Sequence, residues 1–220
     1  HSRHGSEAIG ARIRSILPDA RVAVTRSLDD ARAWVRDDLS AHRPELLLSG
    51  GGDGTAVALL NEVRDQGLHV PAFGLLPLGT GNGWARATGA VGTRAALRGL
   101  TTLRNFGPPP LRRFNLVETE GRLTPFAGTG WDAEIIDDFH AQKTGFGVLP
   151  ARMRMGLAGY LQGMFLRTIP RHVTEPQPEV EVVNTGADAL TVDDAGNVVH
   201  LPGGEHGKVL YRGPVSVCAA

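Results

Sequence analysis

The feature that most constrains the fold of this chain is a short apolar run that ends in glycines. The run "ELLLSG" leads into Gly-Gly-Asp-Gly-Thr at residues 51–55, and the helix-like stretch "TAVALLNEVRDQG" follows at once. A continuous apolar run of this length is typical of a strand buried on both faces, which favours a parallel sheet. The stretch therefore predicts a strand, a glycine loop and a helix within an α/β domain.

Elements of the same kinds recur through the first half of the chain. Helical spacing of apolar residues predicts helices at 6–17, 28–40, 55–67 and from 82 to about 103, and apolar runs predict strands at 21–25, 45–50 and 70–79. This alternation predicts a doubly wound, mostly parallel sheet. Three prolines at 108–110 interrupt it, so we expect an α/β nucleotide-binding domain over residues 1–107.

The second half of the chain has a different pattern. A hairpin with its turn at Thr119–Gly121 is followed by one helix over 151–168 and then by four short apolar runs separated by turn residues. These features predict a β-rich, sandwich-like domain over residues 108–220. The final residues "YRGPVSVCAA" read as an interrupted strand, so we expect the chain to be a piece of a longer protein.

Two glycine loops carry the chemistry. Residues 50–55 and 79–83 each follow a predicted strand and each open a predicted helix. Ligands of open α/β sheets bind at the carboxyl ends of the strands, and the free N–H groups of a helix N-terminus suit phosphate. Neither loop continues into the Gly-Lys-Ser/Thr of a Walker loop. We therefore predict a phosphate cradle with a nucleotide enclosed between the two loops.

Asp53 is the one acidic residue in these loops. An acid beside a phosphate repels it unless the acid has a role of its own, such as holding Mg²⁺ or accepting a proton from an attacking hydroxyl. The structural alternative is that Asp53 caps the helix that it opens. The loop alone favours neither role.

Composition excludes several other classes of protein. The formal net charge is zero, which gives no overall attraction to nucleic acid. Cys218 is the single cysteine, so there is no intrachain disulfide, as is usual in a reducing cytoplasm. No apolar run reaches the ~18 residues of a membrane span, and the N-terminus does not resemble a signal peptide. We predict a cytoplasmic protein without a transmembrane segment.

The paired motifs resemble a known family. "GGDGT" at 51–55, "PLGTGN" at 77–82 and "AR" at 85–86 are similar to the diacylglycerol kinase catalytic domain family, which includes diacylglycerol, sphingosine and ceramide kinases. "VTRSLDDARAWV", "GTGWDAEI" and "MRMGLAGYLQGMF" resemble further segments of that family. The resemblance extends over about residues 5–170.

The resemblance implies an ATP-dependent kinase that transfers the γ-phosphoryl group to a lipid hydroxyl with the help of Mg²⁺. Its lipid substrate would be met at a membrane surface, where the enzyme would bind peripherally. By motif, the residues of the nucleotide site would be Thr25, Gly51, Gly52, Gly54, Thr55, Gly79, Thr80, Gly81, Asn82 and Arg154. Asp53 would be the general base or would organise Mg²⁺.

Other residues have both a functional and a structural interpretation. Asp132 and Glu134 either bind the lipid head group or a metal, or belong to a surface turn and a half-exposed strand. Arg152 and Arg154 either reach nucleotide phosphates or lie on a solvated helix face. The run 128–133 also matches a dinucleotide fingerprint, Gly-x-Gly-x-x-Ala, although the preceding hairpin disfavours that interpretation.

The chain departs from the family at several positions. Gly83 stands where many relatives have an acid, and Val57 and Ala58 stand where bacterial relatives have Asn-Glu; here Asn61-Glu62 come four residues later. The family's first strand and its C-terminal carboxylate segments do not occur in this sequence. The alternatives are therefore an NAD-kinase-like enzyme, which shares GGDGT, and a non-catalytic nucleotide-binding module.

Overall fold

The computed structural model describes residues 3–79, 82–90, 92–107, 111–143 and 157–219. The chain divides into two compact units, His1–Pro125 and Phe126–Ala220, called unit 1 and unit 2 below. The helices of unit 1 are α1 (Arg3–Ile16), α2 (Leu28–Trp34), α3 (Ser40–His42), α4 (Asp53–Asp65), α5 (Gly83–Ala87) and α6 (Gly92–Phe106). Its strands are β1 (Leu46–Gly51), β2 (Ala72–Pro77), β3 (Val117–Thr119) and β4 (Arg122–Thr124).

The parallel pair β1–β2 positions the glycine loops. Leu46 lies opposite Ala72 and Gly51 lies opposite Pro77, so both strands end at the same edge. Helix α4 is the crossover between them, as a parallel pair requires. The predicted strand, loop and helix order around Asp53 is thus confirmed, and so is a mixed α/β architecture with a parallel sheet. The doubly wound arrangement stays a prediction, because the described parallel sheet has two strands.

The predicted helix at 28–40 forms as a continuous helical segment. Ser27 caps α2 by accepting the Asp30 N–H at 3.0 Å. The helix continues through a π-helical segment, Val35–Leu39, into α3. Val35 and Leu39 pack with Leu47 and Val63 in the hydrophobic core of the unit. This core holds β1, the π-helical segment Val35–Leu39 and α4 together.

The predicted strand at 21–25 is wrong. These residues have no regular secondary structure and no ladder partner among the described residues. Alternating apolar residues favour a strand, but a strand exists only where another strand supplies the hydrogen bonds. The segment instead packs against α1, where a Cβ on Gly10 would lie 3.1 Å from the Val24 side chain.

The hairpin β3–β4 forms where the sequence predicts it, with the turn at Glu120 and Gly121, both at positive φ. It belongs to unit 1, although the predicted domain boundary at residue 107 assigned it to the second domain. Its contacts with α4 explain the difference, because Asn61 exchanges two hydrogen bonds with Leu123.

Unit 2 contains three helices and six strands among its described residues. The helices are α7 (Trp131–Lys143), α8 (Leu157–Gly163) and α9 (Ile169–Thr174), with a π-helical segment, Met164–Thr168, between the last two. The strands are β5 (Gly128–Gly130), β6 (Glu179–Val183), β7 (Leu190–Val192), β8 (Val198–His200), β9 (Val209–Pro214) and β10 (Val217–Ala219).

The described strands of unit 2 form three separate antiparallel pairs, β5–β10, β6–β9 and β7–β8. The four predicted strands are confirmed as β6, β7, β8 and β10, and β5 and β9 are additions. The sandwich itself is not formed by these pairs and stays a prediction. The predicted helix at 151–168 is present from Leu157 onward; residues 151–156 lie outside the described part.

Candidate functional site

The two glycine loops leave the sheet side by side and contact each other. The N–H groups of Leu78 and Gly79 donate to the Gly51 carbonyl at 2.9 and 3.2 Å. A Cβ on Gly79 would lie 2.5 Å from the Gly52 Cα, so only glycine allows this approach. The loops are therefore one structural element.

The space beneath the described parts of the loops is a cavity of about 10 Å³, lined by residues that include Ser49, Asp53 and Asn82. That volume holds about one water molecule. This cavity does not hold a nucleotide. Because Thr80 and Gly81 of the second loop lie outside the described residues, a nucleotide enclosed by the two loops stays a prediction.

Asp53 joins the loops through its side chain. Its carboxylate accepts the Gly83 N–H at 2.7 Å and the Trp84 N–H at 3.1 Å. Gly52 is the N-cap of α4, and Asp53 is the first residue of that helix. Asp53 therefore does act as a helix cap, but it caps α5. One alternative from the sequence was that it would cap α4, the helix that it opens.

The first turn of α4 has the groups that a phosphate requires. The N–H groups of Asp53 and Gly54 donate to no acceptor among the described residues. A Cβ on Gly54 would meet nothing within 4 Å, so the loop is open on this side. The N-terminus of a 13-residue helix adds a partial positive charge. This surface fits an anion such as a phosphate group.

Thr55 and Asn82 shape the loops. A Cβ on Gly51 would lie 2.6 Å from the Thr55 Oγ1, so the glycine leaves room for this side chain. Asn82 has a left-handed conformation, with φ at 53°. Its Nδ2 donates to the Gly79 carbonyl at 2.5 Å, and its Oδ1 accepts the Gly79 N–H at 3.1 Å. Asn82 therefore orders the loop backbone, and Gly51 leaves the space that the Thr55 side chain occupies.

The structure describes only one of the remaining predicted nucleotide ligands, Thr25. Thr25 is exposed at the end of the extended segment 21–25, and no hydrogen bond joins it to either loop within the described residues. Thr80, Gly81 and Arg154 lie outside those residues. No group of three or more metal-ligating side chains occurs in the part of the chain that the structure describes.

Comparison with known proteins agrees with this geometry. Residues 2–104 match the family model of the diacylglycerol kinase catalytic domain, and this range contains both loops and Asp53. The resemblance seen in the motifs is thereby confirmed.

Curated relatives point the same way. The chain is 33% identical over 138 residues to a probable lipid kinase YegS-like protein of Pseudomonas fluorescens, which covers 58% of this chain and 42% of the relative. It is 40% identical over 88 residues to the protein of the same name in Citrobacter koseri, covering 38% and 27%. The chain thus spans less than half the length of these relatives. No solved structure matches it.

The family resemblance also drew attention to Asp132 and Glu134, which lie in the first turn of α7. The expectation of a turn and a half-exposed strand is therefore wrong. Glu134 has one buried carboxylate oxygen without a hydrogen-bond partner among the described residues, and Asp132 accepts the Ala133 N–H at 2.8 Å. These contacts do not show that either residue binds a lipid.

The dinucleotide interpretation of residues 128–133 is not supported by the strand pairing. β5 does lead into a helix, but it pairs antiparallel with β10 and so is not part of a βαβ unit. Gly130 has a φ of 101°, and a Cβ there would lie 2.1 Å from the Ser216 carbonyl. The glycine serves this close strand contact.

Sequence reasoning missed a buried charge cluster in unit 2. Asp138 is buried on α7 and accepts hydrogen bonds from Thr168 at 2.8 Å and Arg171 at 3.0 Å. Arg167 lies 3.5 Å away. The hydrogen bond from Arg171 to Asp138 raises the pKa of the arginine. The sequence does place Asp138 four residues after Glu134, on the same face of a helix. It does not show the partners of Asp138, because they lie about 30 residues away.

Proposed function

We propose that the full-length protein is an ATP-dependent lipid kinase that phosphorylates the hydroxyl of a diacylglycerol or sphingoid-type lipid. One observation carries the proposal: an open helix N-terminus at the GGDGT motif, locked to a second glycine loop by Asp53. The names of the curated relatives, probable lipid kinases, support the acceptor class. We propose Mg²⁺ as the accompanying ion.

The residues of the loops have distinct roles in this proposal. The N–H groups of Asp53 and Gly54 hold phosphate oxygens, because neither has another acceptor within the residues that the structure describes. Thr55 and Asn82 keep the loop backbone in place, and we retain Thr25, Thr80, Gly81 and Arg154 as further contacts. ATP would supply the phosphoryl group, and phosphoryl transfer depends mainly on positioning and charge neutralisation.

Asp53 has a positioning role in addition to any chemical one. Both carboxylate oxygens already accept a backbone N–H, but each oxygen has a second lone pair. That pair remains for a hydroxyl proton or for Mg²⁺, so the general-base and metal roles both stay compatible with the geometry. Asp132 and Glu134 remain our candidates for the lipid head group.

Membrane contact is part of the proposal. Among the described helices, none is long and apolar enough to cross a bilayer. As a separate part of the proposal, the enzyme meets its lipid substrate by peripheral binding to a membrane from the cytoplasm. We propose no nucleic-acid partner.

The experiment is transfer of labelled phosphate from ATP-Mg²⁺ to a panel of lipids by the full-length protein. Labelled diacylglycerol, sphingosine or ceramide phosphate would support the proposal and identify the acceptor. Asp53→Asn places an amide N–H₂ where one backbone donor now binds, and we expect it to abolish transfer. ATP bound without transfer to any lipid would favour the non-catalytic module, and phosphorylation of NAD would favour the NAD-kinase-like alternative.

A further inference from the structure

Unit 1 contains a long stretch of the chain without acidic residues. Residues 66–117 include six arginines and no aspartate or glutamate, in a protein whose formal net charge is zero. All six arginines are exposed, and they are Arg86, Arg94, Arg98, Arg104, Arg112 and Arg113. Positive charge is therefore concentrated on this part of the chain.

These arginines also lack the ion pairs that other arginines of the unit form. Six others each pair with a carboxylate, and they are Arg21, Arg26, Arg32, Arg36, Arg64 and Arg122. Among the described residues, none of the six in the acid-free stretch has such a partner; Arg104 donates instead to the Ile16 carbonyl at 3.2 Å. Their charge is thus left for an external anion.

Large apolar side chains are exposed at the end of the same stretch. Unit 1 exposes four of them in its described part, and three lie here: Phe106 at 84%, Leu111 at 67% and Phe114 at 37%. Phe106 is the last residue of α6, and Leu111 follows five residues later. Chain connectivity therefore keeps their Cα atoms within about 18 Å of each other.

Phe114 connects this region with the candidate site. Its ring lies 6.2 Å from the ring of Trp84, which is 5% exposed on α5. The Trp84 N–H donates to the Asp53 carboxylate at 3.1 Å. Arg112 and Arg113 thus directly precede a residue that packs on the helix capped by Asp53.

We propose that a basic–apolar patch, made of Arg104, Phe106, Leu111, Arg112 and Arg113, binds the surface of an anionic lipid bilayer. The inference rests on the proposed function, in which the acceptor is a membrane lipid, and it names the contact through which unit 1 meets the bilayer. Anionic headgroups attract arginines, and exposed phenylalanine and leucine side chains enter the boundary between headgroups and acyl chains. A nucleic acid would also attract the arginines, but its phosphates offer no apolar phase for Leu111.

The experiment measures sedimentation of the full-length protein with vesicles of phosphatidylcholine, with and without phosphatidylglycerol. The first variant combines Arg112→Gln with Arg113→Gln. Its control combines Arg32→Gln with Arg36→Gln, which changes the net charge equally but removes arginines that already pair with carboxylates. We expect about thirtyfold weaker binding to the anionic vesicles in the first variant. The control should bind within about twofold of the wild type.

A second pair of variants tests the apolar part of the patch. Leu111→Ser should weaken binding to the anionic vesicles about tenfold, because the leucine side chain no longer enters the bilayer. Leu28→Ser is the matched control, since Leu28 is the fourth exposed apolar residue of unit 1 and lies outside the patch. It should bind as the wild type does.

Three results would overturn the inference: equal losses in the two double variants, wild-type binding that does not depend on phosphatidylglycerol, or tighter binding to a single-stranded oligonucleotide than to anionic vesicles. Lipid phosphorylation in neutral detergent micelles tests the proposed function separately. The Arg112→Gln, Arg113→Gln variant should keep its kcat there, and a loss of kcat in micelles would contradict a role confined to the membrane. No transfer by the wild type in micelles would overturn the proposed function, whereas vesicle binding is measured without catalysis.

Discussion

The two units of this chain are stabilised in different ways. Of the buried hydrophobic side chains among the described residues, Ile135 alone lies in unit 2, and the others belong to unit 1. The buried groups of unit 2 include instead the polar side chains of Asp138 and Thr168. Its short strands expose large apolar residues, such as Val192 at 63% and Val198 at 68%. Unit 1 therefore has a conventional hydrophobic core, whereas unit 2 depends more on a charge cluster.

This difference explains why the candidate site is better defined in unit 1. A phosphate loop needs a rigid backbone, and the glycine loops rest directly on the β1–β2 pair and its core. The groups of unit 2 that the family resemblance suggested, Asp132 and Glu134, have no comparable support from the two-stranded pairs described there.

The largest effect is expected in the core of unit 1. Leu47 is 4% exposed and packs with residues of the helical segment 28–42 and of α4. Leu47→Ala leaves a cavity and should lower the free energy of unfolding by about 2–5 kcal/mol. Chemical denaturation of the chain measures the loss, and hydrogen exchange should show it in β1 and α4. A loss below about 1 kcal/mol would contradict the assignment of the core.

The charge cluster of unit 2 comes next. Asp138→Ala leaves the buried Thr168 hydroxyl without its acceptor and removes the partner of Arg171. Breaking a buried pair costs about 3–5 kcal/mol, and we expect the low end because each arginine keeps about a third of its side chain exposed. Hydrogen exchange in α7 measures the change. As a control, Asp137→Ala removes an exposed acid next to it and should change little. Equal effects of the two variants would show that unit 2 does not depend on the cluster.

The contact between the loops should contribute a smaller amount. Gly79→Ala places a methyl group 2.5 Å from the Gly52 Cα, so we expect a loss of about 1–3 kcal/mol and separation of the loops. Gly54→Ala is the matched control, because its methyl group meets nothing within 4 Å and alanine favours the helix. Thermal unfolding of both variants distinguishes them. Similar melting temperatures would mean that the loops do not touch.

The sequence predicted the elements of unit 1 that depend on local pattern. The order β1, α4, β2 and α5 follows from apolar runs and glycines, and so does the placement of both loops at one edge of the sheet. The sequence wrongly predicted a strand at 21–25, and it did not predict the helix Trp131–Lys143. The first depends on a pairing partner elsewhere. For the second, Ile135 and Phe139 at helical spacing were a usable signal.

The candidate site shows the same limit. Its residue types and loop order were predictable, whereas the partners of Asp53 were not, because Gly83 and Trp84 lie 30 and 31 residues away in the chain. The described contact leaves a cavity of about 10 Å³ beneath the loops, and the nucleotide position itself stays a prediction. Long-range backbone contacts of this kind leave no local pattern.

The smallest expected effect is the stability change caused by Ser49→Ala at that cavity. Its sign shows whether the cavity holds a water molecule or is dry. Ser49 is 2% exposed, lines the cavity, and its hydroxyl has no hydrogen-bond partner in the described structure. An unsatisfied buried hydroxyl costs about 1–3 kcal/mol, unless a water molecule binds to it. Because the cavity also has polar walls at Asp53 and Asn82 and room for one water, we expect a bound water.

Ser49→Ala would then lose that water and destabilise the chain by about 1 kcal/mol, close to the contribution of one buried hydrogen bond. If the cavity is dry, the same variant removes an unsatisfied group and stabilises the chain. Chemical denaturation gives the sign, and a high-resolution crystal structure shows the water directly. A stabilised variant would mean that the loops close over a dry space, and that their packing at Gly52 and Gly79, rather than a buried solvent bridge, holds the base of the site.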